Sequence, residues 1–274
     1  MAEISAKQVQ TMREKTGLPL MDVKKALVEA GGDEPKALEI LRKRFADKMV
    51  TKSDRVAGKG RIGAYVGSGR GALCEVRCET DFVATNDVFK AFTDQIARQA
   101  VETGITDPAL LLASKAAFAG GRTIQALLEE AFSKLGEKLE IISVVLLDGA
   151  TGSYVHFNGQ VGSLVASDKP QPEFARQLSM HVAARQNDFW MTREQVPAAL
   201  VSAERDRSRG EVQGKPPQII DKIVEGKMSK WFSELVLPEQ PFALDDKKTV
   251  AQAAKDSGVT VTGFRRMEVG RTSS

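Results

Sequence analysis

Apolar residues recur every three or four positions through the first fifty residues of the chain and every second position in several of the stretches that follow. That change of period marks a change of architecture. Ser5 is a natural N-cap for a segment carrying Val9 and Met12 that ends at Gly17. Pro19 opens a second segment with Met21, Ala26 and Leu27 apolar, closed by Gly31-Gly32, and Asp33 heads a third with Ala37, Leu38, Leu41 and Phe45. Each is too short to hold as a lone helix in water. Residues 1–54 are therefore predicted to form a small three-helix module.

The alternating stretches come in two similar copies. "GAYVGSGRGALCEV" and "GSYVHFNGQVGSLVAS" each read as a β-hairpin, and "FTDQIARQAV" and "FARQLSMHVAA" follow them as amphipathic helices. Tyr65 answers Tyr154, Gly71 answers Gly162, Phe92 answers Phe174 and Ile96 answers Leu178. A hairpin with one apolar face needs a helix to cover it. The predicted class is thus α+β, with a two-part core over 55–140 and 141–191, the second part resuming at 236–274. Between them, 192–235 reads as an antiparallel helical hairpin. Its tip is Gln213-Gly214-Lys215-Pro216-Pro217, and its return arm carries Ile219, Ile220, Ile223, Met228, Trp231 and Phe232 as an apolar stripe, read first as its own seam. A last strand, "VTVTGFRRMEV", closes the core.

The copies differ most between their second strand and their helix. The first has "RCETDFVATNDVFKA" there and the second only "SDKPQPE". Added length in one copy of a repeated scaffold marks a place for function, and here it sets Phe82 directly after Asp81 in a turn.

Composition narrows the remaining choices. With 42% hydrophobic and 27% charged residues and a net charge of +3, the chain has an ordinary globular profile. Residues 42–61 are basic, with Arg42, Lys43, Arg44, Lys48, Lys52, Arg55, Lys59 and Arg61 against Asp47 and Asp54. Such a run can meet nucleic-acid phosphates, which makes RNA or DNA binding the alternative function. The run's single aromatic, Phe45, belongs to the apolar stripe of the third segment and leaves none interleaved for base stacking, and a solvated helix face running into a linker is the plainer reading. The Gly58-Lys59-Gly60-Arg61-Ile62-Gly63 string precedes a strand instead of joining a strand to a helix, so it is no dinucleotide fingerprint, and there is no P-loop string. Cys74 and Cys78 lie about 13 Å apart along one strand face at ~3.3 Å per residue, too far for a disulfide. Neither His156 nor His181 neighbours a nucleophile, and His181 is expected in the core. Glu79 and Asp81 alone name no reaction. No enzyme activity, cofactor or metal is predicted. The N-terminus has no leader pattern and no apolar run approaches a membrane span, so a cytoplasmic location without membrane contact is expected.

In order, "TGLPLMDVKKALVEAGGDEPKALEILRK", "CETDFVATND", "GSYVHFNGQVGSLVA", "MHVAA", "VEGKMSKWFSELVLPEQPF" and "TVTGFRRMEVG" resemble the conserved blocks of the translation elongation factor Ts family, over about residues 3 to 270. The resemblance implies a non-enzymatic guanine-nucleotide exchange factor for the GTPase elongation factor Tu, with no nucleotide site of its own. It implies a ubiquitin-associated-like first module and a coiled-coil hairpin that can serve homodimer contacts. It places Thr80, Asp81, Phe82 and Val83 beside the partner's magnesium and phosphate site, with Phe82 as a wedge. It further implies that Met12, Leu20 and Met21 touch the GTPase domain and that His156 lies near the partner's distal domain. Three departures qualify it. Lys138 follows Gly136-Glu137 where the family pattern has Asn, and Ile142-Ser143 stand at the family's arginines. Gln160 replaces an Arg, and the sequence ends at Ser274, where some members continue into a further helix whose partner contact is expected to be absent.

Overall fold

The computed structural model describes residues 4–52, 54–186, 188–212 and 216–271. The chain begins with α1 (Ala6–Thr16), α2 (Leu20–Glu29) and α3 (Glu34–Thr51). Ser5 accepts the Gln8 N–H at the start of α1, and Gly17 ends that helix in the left-handed region at φ 67°. The Asp33 carboxylate accepts the Lys36 N–H at the start of α3. Met12, Val23, Leu27, Ala37, Leu41 and Phe45 bury one shared core, and Phe132 enters it from outside the module.

The first half of the core then runs β1 (Lys59–Gly67), β2 (Arg70–Cys78), α4 (Asp81–Ala84), α5 (Asp87–Thr103), α6 (Pro108–Ala113), β3 (Lys115–Ala116), β4 (Arg122–Thr123), α7 (Ile124–Leu135) and β5 (Glu140–Asp148). The second runs β6 (Ala150–Val155), β7 (Val161–Ser167), α8 (Pro172–Ala184), α9 (Ala198–Gly210), α10 (Pro217–Leu235), β8 (Pro241–Phe242), β9 (Asp245–Thr249), α11 (Val250–Asp256) and β10 (Val261–Glu268). The architecture is α+β.

The internal repeat is longer than the hairpin and helix visible in the sequence pattern. Each half adds a two-stranded ribbon (β3-β4, β8-β9) and a Thr-capped helix (Thr123 on α7, Thr249 on α11). A left-handed glycine follows, Gly136 or Gly258, and then a third strand antiparallel to the second. The sheets are thus β1-β2-β5 and β10-β7-β6. Because β5 pairs with β2 along Glu140–Asp148, the boundary expected at 140/141 cuts into a strand of the first sheet, and the first half extends to Asp148.

Paired glycines make the layers close. A Cβ at Gly63 would come within 2.6 Å of the Thr93 carbonyl oxygen on α5, and one at the equivalent Gly152 within 2.6 Å of Ala175 on α8. Only glycine lets helix and strand approach so nearly. The two sheets also meet reciprocally: Gly71 faces Leu164 and Thr151, while its counterpart Gly162 faces Leu73 and Ile62. Ile62, Leu73, Leu164 and Met267 form the buried cluster between the halves.

Helices α9 and α10 pack as the expected hairpin. Val212, Val224, Met228 and Phe232 are buried in its seam, and Arg205–Glu225 at 2.8 Å and Arg209–Asp221 at 3.7 Å span its two arms. Leu200 and Ile219 remain exposed on it. Residues 213–215 of the tip lie outside the described residues.

Candidate functional site

The polar stretch after β2 folds as the single-turn helix α4 rather than an open loop. The Thr80 hydroxyl caps it by accepting the Val83 N–H at 3.4 Å. The Thr85 hydroxyl closes it by donating to the carbonyls of Asp81 and Phe82. Val83 and Ala84 point into the core of the first half, so the opposite side of the turn must face outward. Phe82 accordingly stands 89% exposed. Asp81 reaches back to Lys59 at 2.9 Å.

Two glutamates fasten the turn's base. The Glu137 carboxylate accepts the N–H groups of Glu79 and Thr80, each at 3.0 Å, and the Thr80 hydroxyl proton at 2.5 Å. The Glu79 carboxylate accepts the Lys138 N–H at 2.7 Å and pairs with Arg55 at 3.1 Å. Partial burial alone pushes the Glu79 carboxyl up, but the Lys138 N–H and the Arg55 guanidinium together hold it below the usual carboxylate range. The Cys78 thiol donates to the Thr80 carbonyl at 3.3 Å. Burial, then the nearby Glu137, pushes that thiol up to about 12; Cys74 is likewise raised to about 12, chiefly by burial, so both are inert core thiols rather than nucleophiles.

Contacts link other exposed apolar residues to this base. In the three-helix module Leu20 is 45% and Met21 58% exposed. The adjacent Asp22 pairs with Lys48, Lys52 donates to the Gly136 carbonyl, and Arg55 meets Glu79. On the other side, the β6–β7 turn lies against β1: the Ile62 N–H donates to the Gly159 carbonyl at 2.8 Å, and the Gln160 side-chain amide donates to the Gly60 carbonyl at 3.0 Å. The departure at Gln160 therefore fastens this turn to β1. The turn carries His156, whose Nδ1 lies 3.1 Å from the Tyr154 hydroxyl, and Phe157, which is 88% exposed. Phe157 escaped the sequence reading; an aromatic among turn residues in "VHFNGQ" was the available signal, the same one that singled out Phe82.

Met12 does not share this surface. It is 1% exposed, packed among the other apolar residues of the three-helix core, so it supports the module and presents no side chain to a partner in this conformation. His181 is the buried core residue expected: Nε2 lies 2.8 Å from the Gln240 side-chain oxygen and Nδ1 accepts the Ala243 N–H at 3.2 Å. Burial pushes its pKa down. Among the described residues no cluster of His, Cys, Asp and Glu suits a metal ion, and no helix is long and apolar enough to cross a membrane. Much of the 42–61 positive charge is answered within the chain. Arg44, Lys48, Arg55 and Lys59 each meet a carboxylate, and Lys52 meets a carbonyl.

Fold and site together define an α+β protein of two like halves, one of which carries a braced turn with a projecting aromatic. A family model described as elongation factor TS matches residues 79–271, starting at that turn. Elongation factor Ts of Micrococcus luteus is 41% identical over 98% of this chain and 100% of its own length. That of Kineococcus radiotolerans is 38% identical with the same coverage, and that of Lactiplantibacillus plantarum is 38% identical over 98% of this chain and 93% of its own. The chain belongs to the elongation factor Ts family, and its role is in translation elongation.

Proposed function

We propose that this protein is a guanine-nucleotide exchange factor for elongation factor Tu, working in the cytoplasm and releasing GDP by disturbing the partner's magnesium and phosphate site. The observation that carries the reading is Phe82, almost wholly exposed at the end of a turn braced from behind. An aromatic is a good wedge because it offers a large apolar area with few rotamers to freeze. Magnesium keeps a strict octahedral shell, so a modest displacement of the loops around it weakens the nucleotide. By linkage, whatever the factor subtracts from nucleotide affinity the nucleotide subtracts from factor affinity. That reciprocity ends each cycle without any bond being made or broken by the factor, which therefore needs neither catalytic residue nor cofactor.

Within this reading Thr80 caps the turn, Val83 anchors it and Asp81, already paired with Lys59, is free to trade that lysine for a polar group of the partner. Leu20, Met21 and His156 supply outlying contacts, and Met12 holds the shape of the module that bears the first two. The internal pairing of the basic stretch argues against the nucleic-acid alternative.

The test is release of labelled GDP from elongation factor Tu with the intact protein and with Phe82→Ala. Faster release with the intact protein and a large loss in the folded variant support the wedge. Equal acceleration by both removes Phe82 from the mechanism, and no acceleration by either ends the exchange reading.

A further inference from the structure

Resting on that reading, we infer that Glu137 is a positioning residue, a carboxylate whose task is to aim Phe82. A single-turn helix has no stability of its own, so something must hold α4. The holding group comes from 57 residues further along the chain. Its Oε2 takes two successive backbone amides and its Oε1 takes the Thr80 hydroxyl proton. With its proton directed at Glu137, that hydroxyl is left to accept the Val83 N–H. The relay thus runs from Glu137 through Thr80 to the amide immediately after Phe82, and members of such a chain strengthen one another.

The repeat separates this bond from ordinary scaffolding. In the second half the Asp168 carboxylate, one residue beyond β7, accepts the Thr260 N–H at 2.7 Å, as Glu79, one residue beyond β2, accepts the Lys138 N–H in the first. A carboxylate just past the second strand thus belongs to both halves. The Glu137 carboxylate does not: counted back from the paired strands its counterpart is Ser257, while Val259 answers the equally buried Leu139. The carboxylate occurs only in the half that has a projecting turn to hold. Gln replaces it only in part: with its oxygen on the two backbone amides its NH2 faces the Thr80 hydroxyl, which must then accept instead of donate, so the charge on all three bonds and the direction of the relay are lost.

The experiment combines Glu137→Gln, Phe82→Ala and the double variant. GDP release from elongation factor Tu is read alongside hydrogen exchange of the amides in residues 79–86 of the free protein. A charge-assisted bond lost at this base corresponds to about tenfold or more. Glu137→Gln is expected to slow catalysed release about tenfold and to speed amide exchange in 79–86 by a similar factor. In the Phe82→Ala background its further effect on release is expected to vanish, which a general loss of structure does not reproduce. Full exchange activity in Glu137→Gln, or a loss that persists undiminished without Phe82, overturns the inference. If the intact protein does not speed release at all, the exchange reading has failed, and amide exchange alone then decides: unchanged protection of 79–86 overturns the positioning role. Thr80→Val, which removes the middle of the relay at an exposed position, repeats the test independently of how well Glu137→Gln folds, with the same losses expected.

Discussion

The two halves of the core are the same construction put to different uses. Each lays a hairpin under a helix, adds a ribbon and a Thr-capped helix, and completes its sheet with a third strand. In the first half the passage from second strand to helix contains α4 and an exposed Phe82; in the second it runs from β7 directly to α8, which begins at Pro172. The second half instead takes its long insertion after α8, as the α9–α10 hairpin. The difference shows where this scaffold tolerates additions: at the connections, while strand pairing and the glycine contacts stay fixed.

The comparison is broken or sharpened most strongly by Phe82→Ala. Catalysed GDP release is expected to fall at least about 30-fold, the effect of losing a hot spot worth 2 kcal/mol or more, with the melting temperature unchanged because the side chain is exposed. Next come Gly63→Ala and Gly152→Ala. Each sets a methyl against the backbone or Cβ of a covering helix, and each is expected to cost roughly 2–3 kcal/mol in denaturant unfolding, near the top of the range for overpacking. The test of symmetry is that the two losses match; a mild effect at either site means that its helix can shift away. Smaller still, Met21→Ala is expected to weaken binding to elongation factor Tu by about 1 kcal/mol, read as a faster dissociation rate, with little change in the maximal rate of GDP release.

The last effect, a pH dependence, belongs to the second half alone. His181 has a folded pKa below its unfolded value near 6.5 because burial disfavours its charge. Above that pH both states are neutral there and nothing changes. As pH falls below it the unfolded chain takes up a proton that the folded one does not, so stability declines until the folded value is passed. The slope from this residue is at most about 1.4 kcal/mol per pH unit. Melting temperatures between pH 7.5 and 5.5 should show a shallower decline in His181→Gln than in the intact protein.

What could be read from the sequence followed from length and periodicity. Both hairpins, both covering helices and the α9–α10 pair span enough residues to show a period. The ribbon half of the repeat did not show, because β3, β4 and β8 are two residues each and carry no pattern. Phe82 stood out by being aromatic where turns are polar. Glu137 could not, since its role depends on a bond 57 residues distant. Only the family resemblance puts Met12 at the partner surface; the helical stripe that carries it shows which residues share a face, not what covers that face. Gly63 and Gly152 open the two similar hairpin stretches, but only the helices packed above them explain why they are glycine.

The linker after α3 has a consequence for how contacts are timed. Lys52 and Arg55 grip the loop and the glutamate that brace α4, so the three-helix module is not a bead on a loose string. In the proposed complex Met21 and the Phe82 turn act as two prongs of one fork. Once one prong is seated on a partner, the other is already at high effective concentration for its own site. A partner in that proposed complex that changes the spacing of those two sites loses both holds in a single step.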